Sequence, residues 1–380
     1  MTGATTGAMI RLITACALRS AAMLALAAAL AAFLPHPASA QSGEPRPPAA
    51  KTKPPHPTAK PGGPAPSRAA AEKHPTAPTG GNGGNGVEPD LAFGAFQRGY
   101  YLTAFGFATK RVDANSDPKA MTLIGELYAN GLGVPQDDNK AAEWYRLAAD
   151  RGDREAMFAL AMFSLAGRAG PRDRETSAKW LAAAAKLGQP LAAYDLALLY
   201  MEGQLFPQDF GRAAELLRVA AEAGSPEAQY ALGTLYKAGR GVPKDMHEAV
   251  RLFGLASLAD DTDAEVEYAI ALYNGDGVAK NEPAAAALFR KAALKNNPIA
   301  QDRLAHILAS GQGAPANAVE ATKWHLISKA RGETDLVLDD YVSKLDADTR
   351  AAAEKAAKPW LDAIKAAQTA QQAQQQQAKP

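Results

Sequence analysis

A serine and a lysine form the clearest place where this sequence could support catalysis. Ser116 and Lys119 have the S-x-x-K spacing in which penicillin-recognising enzymes place a nucleophile and its lysine. No K-T-G motif accompanies the pair, however, and the residues between them, Asp117 and Pro118, are typical of the start of a helix. We therefore interpret Ser116 as part of a helix cap and keep an acylating enzyme as the alternative.

Histidine and cysteine are common ligands of zinc in proteins. Outside the first 86 residues the chain has His247, His306 and His325, and none of them has a partner at metal-ligand spacing. His325, next to Trp324, is expected at the surface. The sole cysteine is Cys16, so a structural zinc site and thiol chemistry are not expected in the remainder of the chain. The sequence predicts no catalytic residue, no metal and no cofactor.

These residues lie in a chain that repeats itself every 36 residues. Glycine recurs at that interval from Gly131 to Gly311, and alanine recurs from Ala120 to Ala300. A constant period of this length indicates stacked supersecondary units. In each unit an apolar stripe at helical spacing (helix A) is followed by a glycine-rich turn and a second stripe (helix B). One such hairpin cannot bury its apolar face alone, so neighbouring units must stack.

The recurring pattern A-x(4)-G-x-LY-x-x-G-x-GVP-x-D, followed by A-x-x-WY-x-x-AA-x-x-G, resembles the Sel-one-like repeat, a branch of the tetratricopeptide-like repeats. The match is clearest in IGELYANGLGVPQD of repeat one and LGTLYKAGRGVPKD of repeat four. Periodicity and resemblance together predict an all-α fold. It is an α-solenoid of about six 36-residue helix-turn-helix repeats, with an atypical N-terminal half-repeat and C-terminal capping helices. The resemblance also implies an interaction scaffold, because the family has no common catalytic motif.

The N-terminal 86 residues are predicted to stand outside the solenoid. Residues 1–40 have two arginines, an apolar run and an Ala-Ser-Ala site, which predicts a signal peptide cleaved at about Ala40–Gln41. An uncleaved membrane anchor is the alternative, although the apolar run is short for a membrane span. Residues 41–86 contain eleven prolines and eight glycines and have six basic against two acidic residues. We predict a disordered basic linker there.

The remaining boundaries follow the repeat register. Residues 87–118 are predicted to be a divergent N-terminal repeat, 119–333 the six repeats and 334–362 the capping helices, with the last helix ending at Lys358. Residues 363–380 form a Gln/Ala-rich tail that is expected to be frayed or disordered.

One face of helix A is the candidate partner-binding surface. Two positions one helical turn apart recur there in the first four repeats, and their side chains share a face. This set, called the ladder below, consists of Thr122, Glu126, Phe158, Met162, Tyr194, Leu198, Tyr230 and Thr234. Aromatic anchors suit the capture of a peptide or protein in a groove. The alternative is that these aromatics pack between repeats.

The predicted function is a non-enzymatic protein–protein interaction scaffold or regulator in the bacterial cell envelope, periplasmic or secreted. The resemblance implies a protein or peptide partner, such as an envelope sensor or polysaccharide or cell-wall machinery. One alternative is a weak β-lactam- or peptidoglycan-acting enzyme, because cysteine-rich secreted relatives are linked to β-lactam binding. Another is a wall-binding module acting through the basic linker. Nucleic acid is not expected, because 33 basic residues face 38 acidic ones after residue 86. No transmembrane segment is expected after cleavage.

Overall fold

Sixteen α-helices account for most of residues 90–377, the part of the chain that this computed structural model describes. The predicted signal peptide and linker lie outside the described residues. Twelve helices form the six repeats, in A and B pairs. In chain order they are α3 (Pro118–Asn130) and α4 (Asp138–Ala149), α5 (Arg154–Ala166) and α6 (Arg174–Lys186), α7 (Pro190–Glu202) and α8 (Phe210–Glu222), α9 (Pro226–Ala238) and α10 (Met246–Leu258), α11 (Thr262–Asn274) and α12 (Glu282–Leu294), α13 (Pro298–Ser310) and α14 (Ala318–Ala330).

Two further helices lie at each end of the repeats. They are α1 (Leu91–Gln97) and α2 (Tyr101–Asn115) before them, and α15 (Leu336–Ser343) and α16 (Ala347–Gln377) after them. From α1 to α15 each helix packs against the next along the chain, and α16 packs on α14. This arrangement confirms the predicted all-α solenoid. No helix within residues 90–377 combines the length and the hydropathy that crossing a membrane requires.

Short polar side chains start the helices as the sequence indicates. The side chain of Asp153 caps α5 by accepting from the N–H of Ala156 at 2.8 Å, and Ser225 caps α9 in the same way. Proline follows the cap in α3, α7, α9 and α13, where its missing N–H leaves no bond unmade. The B helices start at equivalent caps, of which Asp137 is the first. Each repeat therefore fixes its own helix starts locally.

Two glycines in the turn between helices A and B have different structural roles. In repeat four, Gly239 ends α9 with φ at 67°, the left-handed conformation in which glycine commonly closes a helix. Gly241 has φ at 71°, and a Cβ there would strike the backbone carbonyl of Phe210, at the start of the preceding repeat's B helix. The first glycine thus closes a helix, and the second lets one repeat approach its neighbour.

The core is filled by small residues against large rings. Gly125 in α3 is an example, since a Cβ there would lie 2.7 Å from the ring of Tyr145 in α4. That ring in turn meets Phe163 of the next repeat edge-on, at 5.4 Å between ring centroids. Intra-repeat and inter-repeat packing are therefore made by the same aromatic side chains.

The C-terminal cap is longer than the sequence predicts. The predicted end at Lys358 is wrong, because α16 passes through Pro359 and continues to Gln377. Trp360 packs on Trp324 of the last repeat, with ring centroids 5.3 Å apart, which holds the helix on the last repeat directly after the proline. Residues 363–377 are helical instead of frayed, because alanine and glutamine have high helix propensity.

Candidate functional site

The ladder begins where the A helices of repeats one and two meet. Oγ1 of Thr122 lies 2.9 Å from Oδ1 of Asp153, the cap of α5. Further along the array, Lys237 of α9 forms an ion pair of 2.5 Å with Glu267 of α11. Successive A helices therefore lie side by side, and ladder residues 36 apart in sequence are neighbours in space.

The middle of the ladder is more closely packed than its start. Leu198 and Tyr230 are only 3% and 6% exposed, and the Tyr230 ring contacts Phe253 at 5.8 Å between centroids. Phe158, Met162 and Tyr194 are half-buried, so each keeps part of its surface in contact with solvent.

The polar ladder residues are also half-buried. Oγ1 of Thr234 donates to the carbonyl of Ala231 at 2.6 Å, within its own helix. Burial raises the pKa of Glu126, because removal from water disfavours the charged carboxylate. Six of the eight ladder residues therefore keep side-chain surface in contact with solvent, and Leu198 and Tyr230 are part of the core.

Two titratable residues continue the ladder into repeat six. The register that places Thr122 and Glu126 in repeat one places Asp302 and His306 in repeat six. His306 Nε2 lies 2.7 Å from Oδ2 of Asp335, the residue that caps α15. One ligand atom each from Asp302, His306 and Asp335 lie within 4.8 Å of one another, and no other such group occurs within residues 90–377.

The surroundings of Asp302 favour the protonated form of its carboxyl group. Burial is the main cause that raises the pKa of Asp302, and the carboxylates of Asp335 and Glu333 raise it further, against His306 and Arg303. Oδ1 of Asp302 is buried without a hydrogen-bond partner in the described part of the chain. A cation or a proton donor would stabilise this corner of the molecule.

The sequence interpretation missed this group. Asp302 and His306 stand four residues apart on one helix, a spacing that can be read from the sequence. Asp335 could not have been assigned to the group, because it follows the last repeat and only the docking of α15 brings it to His306.

The prediction that His325 lies at the surface is wrong. It is 2% exposed, and its Nε2 lies 2.8 Å from Oδ1 of Asp339. The same oxygen accepts from Lys329 at 2.6 Å. The reason is that α15 lies beside α14, and a pattern within α14 alone does not reveal that neighbour. His247, on α10, is exposed.

The S-x-x-K pair lies at a junction between two helices. Ser116 is exposed and ends α2 in the left-handed region, with φ at 54°. Asp117 caps α3 through the N–H of Lys119 at 2.9 Å, which is the arrangement the helix-cap interpretation predicts. Ser116 and Lys119 are therefore not on successive turns of one helix.

Six consecutive segments of the chain match the Sel1 repeat family. They are residues 118–153, 154–189, 190–225, 226–261, 262–297 and 298–333. No curated protein shows a significant match to the sequence.

Solved structures resemble the solenoid. A Sel1 repeat protein from Oxalobacter formigenes is 29% identical, with a TM-score of 0.52 over 63% of this chain and 98% of that one. A protective antigen of uropathogenic Escherichia coli strains, which displays an SLR fold, is 24% identical. Its TM-score is 0.51 over 74% of this chain and 68% of its own, and at that identity the likeness concerns the fold alone.

Proposed function

This chain belongs to the Sel1 repeat family, and from that premise we propose a non-enzymatic scaffold of the bacterial cell envelope that holds a protein or peptide along the ladder. Sel1 repeat proteins generally mediate protein–protein interaction. The proposed location is the bacterial cell envelope, and the proposed partner is an envelope sensor or polysaccharide or cell-wall machinery.

The observation that carries the proposal is the surface left by Phe158, Met162 and Tyr194. These apolar or aromatic side chains are half-buried on two neighbouring A helices, so they are held in place and still accessible. Side chains of this kind bind strongly because they bury apolar area with little loss of conformational entropy. A peptide lying across α5 and α7 would contact all three.

Covalent capture is the first step of the test. A photo-crosslinking amino acid placed at Phe158 in the full chain should capture a partner from envelope extract. The same group at Leu147, which is 42% exposed on α4, should not capture that partner. The partner is then purified, and its affinity for variants is measured.

The variant pair Phe158→Ala/Tyr194→Ala should weaken binding by about 2 kcal/mol or more, the usual loss at an interface hot spot. The matched control is Leu147→Ala/Val219→Ala on the B helices, where both side chains are partly exposed. Equal affinity for the two double variants would place the binding surface elsewhere. Unchanged far-ultraviolet circular dichroism in both would exclude unfolding as the cause.

The envelope location depends on the predicted signal peptide, which lies outside the described residues. A mature protein that starts at Gln41 in the periplasmic fraction is the expected result of N-terminal sequencing. An intact Met1 in the membrane fraction would support the anchor alternative.

Neither alternative function is favoured by a specific observation. The enzyme alternative depends on Ser116, whose position at a helix junction separates it from Lys119. A fluorescent penicillin that labels the parent and not Ser116→Ala would revive it. The wall-binding alternative depends on residues 41–86, and cosedimentation with peptidoglycan, with and without that segment, tests it.

A further inference from the structure

Repeat six brings together three side chains of the types that bind metal ions. One atom each of Asp302, His306 and Asp335 lie within 4.8 Å of one another. Two atoms that are bonded to one ion at about 2 Å lie at most about 4 Å apart, so the three side chains need to close only slightly to share an ion. We propose that these three residues bind a divalent transition-metal ion, of which Zn²⁺ is the type that suits the ligands best.

Two features hold the ligands in position before any ion arrives. Asp302 and His306 are one helical turn apart on α13, so their side chains project from the same face. Asp335 is fixed differently. Its Oδ1 accepts from the N–H groups of Val337 and Leu338, both at 2.9 Å, which leaves Oδ2 directed at His306. The helix cap therefore acts as the support for a ligand oxygen.

One carboxylate oxygen of this group is buried without a hydrogen-bond partner. Oδ1 of Asp302 is buried, and no hydrogen-bond donor reaches it within residues 90–377. A buried oxygen without a partner is unfavourable, and such atoms are rare in native proteins. The titratable groups near Asp302 are the carboxyl groups of Asp335 and Glu333 and the basic side chains of Arg303 and His306. An ion between the ligands would supply the charge and the contact that Oδ1 lacks.

The chemistry of the ligands selects the class of ion. Calcium and magnesium prefer sites made of oxygen atoms only, whereas zinc and its neighbours accept imidazole nitrogen together with carboxylate oxygen. Three protein ligands also leave a tetrahedral ion with one further position, filled by water or by a group from another molecule. Binding of the ion does not depend on the proposed scaffold function.

The test is a titration of the full chain with Co²⁺ and, separately, with Zn²⁺. Co²⁺ reports its own coordination through visible absorption, and calorimetry gives the stoichiometry and affinity for Zn²⁺. The parent should bind one equivalent of each. Asp302→Asn and His306→Gln remove a ligand with little change of shape, and each should weaken binding at least about tenfold, as the loss of even an outer-shell partner does.

Two controls separate this site from other histidines. His247→Gln changes an exposed histidine on α10 and should bind like the parent. The pair His56→Gln/His74→Gln removes the histidines between residues 41 and 86, and it should also bind like the parent. The proposal is overturned if the parent takes up no stoichiometric ion. It is equally overturned if Asp302→Asn and His306→Gln, shown to be folded by circular dichroism, bind as tightly as the parent.

Discussion

Repeats four and six place side chains at the same positions of helix A, but these side chains have opposite chemistry. In repeat four, Tyr230 is 6% exposed against Phe253, and in repeat six the equivalent Asp302 is half-buried with an unsatisfied oxygen. The element that follows makes the difference. Repeat four is followed by a full A helix capped at Asp261, whereas α15 is capped two register positions later, at Asp335.

This difference teaches that register and environment are separate properties of a repeat. The 36-residue period places a side chain at a given point of helix A. Whether that side chain is buried, exposed or part of a cluster of titratable groups depends on which helix lies next to it. Substitutions at equivalent positions should therefore have unequal effects in the ladder and equal effects in the shared framework.

The largest effect is expected for Tyr230→Ala. Removal of a buried ring should lower the free energy of unfolding by about 3–5 kcal/mol, measured by urea denaturation. The corresponding change at the other end, His306→Ala, removes a half-buried polar group and should cost less than about 1 kcal/mol.

Tyr194→Ala is the control for Tyr230→Ala, since the same side chain is half-buried one repeat earlier. Its loss of stability should lie between the other two. Equal losses for Tyr230→Ala and His306→Ala would contradict the distinction between a packed middle and a polar end.

Substitution of the second glycine in the turn of a repeat should have a somewhat smaller effect, and the effect should be the same in repeats four and six. Gly241→Ala in repeat four and Gly313→Ala in repeat six both force a Cβ onto the preceding B helix, where in the second case it would lie 2.6 Å from the carbonyl oxygen of Glu282. Both glycines also have positive φ. Left-handed strain and overpacking together should cost about 2–4 kcal/mol in each case.

Gly239→Ala is the matched control, because it has similar φ but its nearest atom, Cβ of Lys244, lies 3.1 Å away on a side chain. We expect a loss of about 1–2 kcal/mol in a thermal or urea melt. If Gly241→Ala and Gly313→Ala differed by more than their experimental error, the repeats would not share one framework.

A further effect depends on pH and concerns Asp195, a carboxylate on α7 in the packed part of the ladder. Burial raises the pKa of Asp195 to about 7. The unfolded chain loses this proton near pH 4, so the stability contributed by the protonated form is lost as the pH rises from about 4 to about 7. The side chain keeps some exposure, and solvent screening reduces the loss to about 1–3 kcal/mol.

Urea midpoints at pH 5 and pH 8 measure this loss. Asp195→Asn should flatten the difference between the two values, because the amide stays neutral. A parent and a variant with the same pH dependence would mean that water reaches the carboxylate and that the middle of the ladder is less closely packed than the structure indicates.

Most of the fold could be predicted from the sequence, because the signals that start and end each helix are local. Asp153, Ser225 and Gly239 act on backbone groups within a few residues of themselves. The prediction was wrong at Pro359, where packing of Trp360 on Trp324 keeps a helix that proline would otherwise interrupt. A local signal does not predict the end of a helix where a tertiary contact stabilises its continuation.

The sequence by itself determined the period, the helix pairs and the face on which the ladder lies, since each depends on spacing along the chain. Only the tertiary structure decided that Tyr230 belongs to the core and that Asp302 and His306 meet Asp335. Burial is a property of neighbours from other elements, and α15 has no counterpart in the repeats from which its position could be read. A repeating sequence therefore fixes where its side chains stand, and the contacts between units fix what those side chains can do.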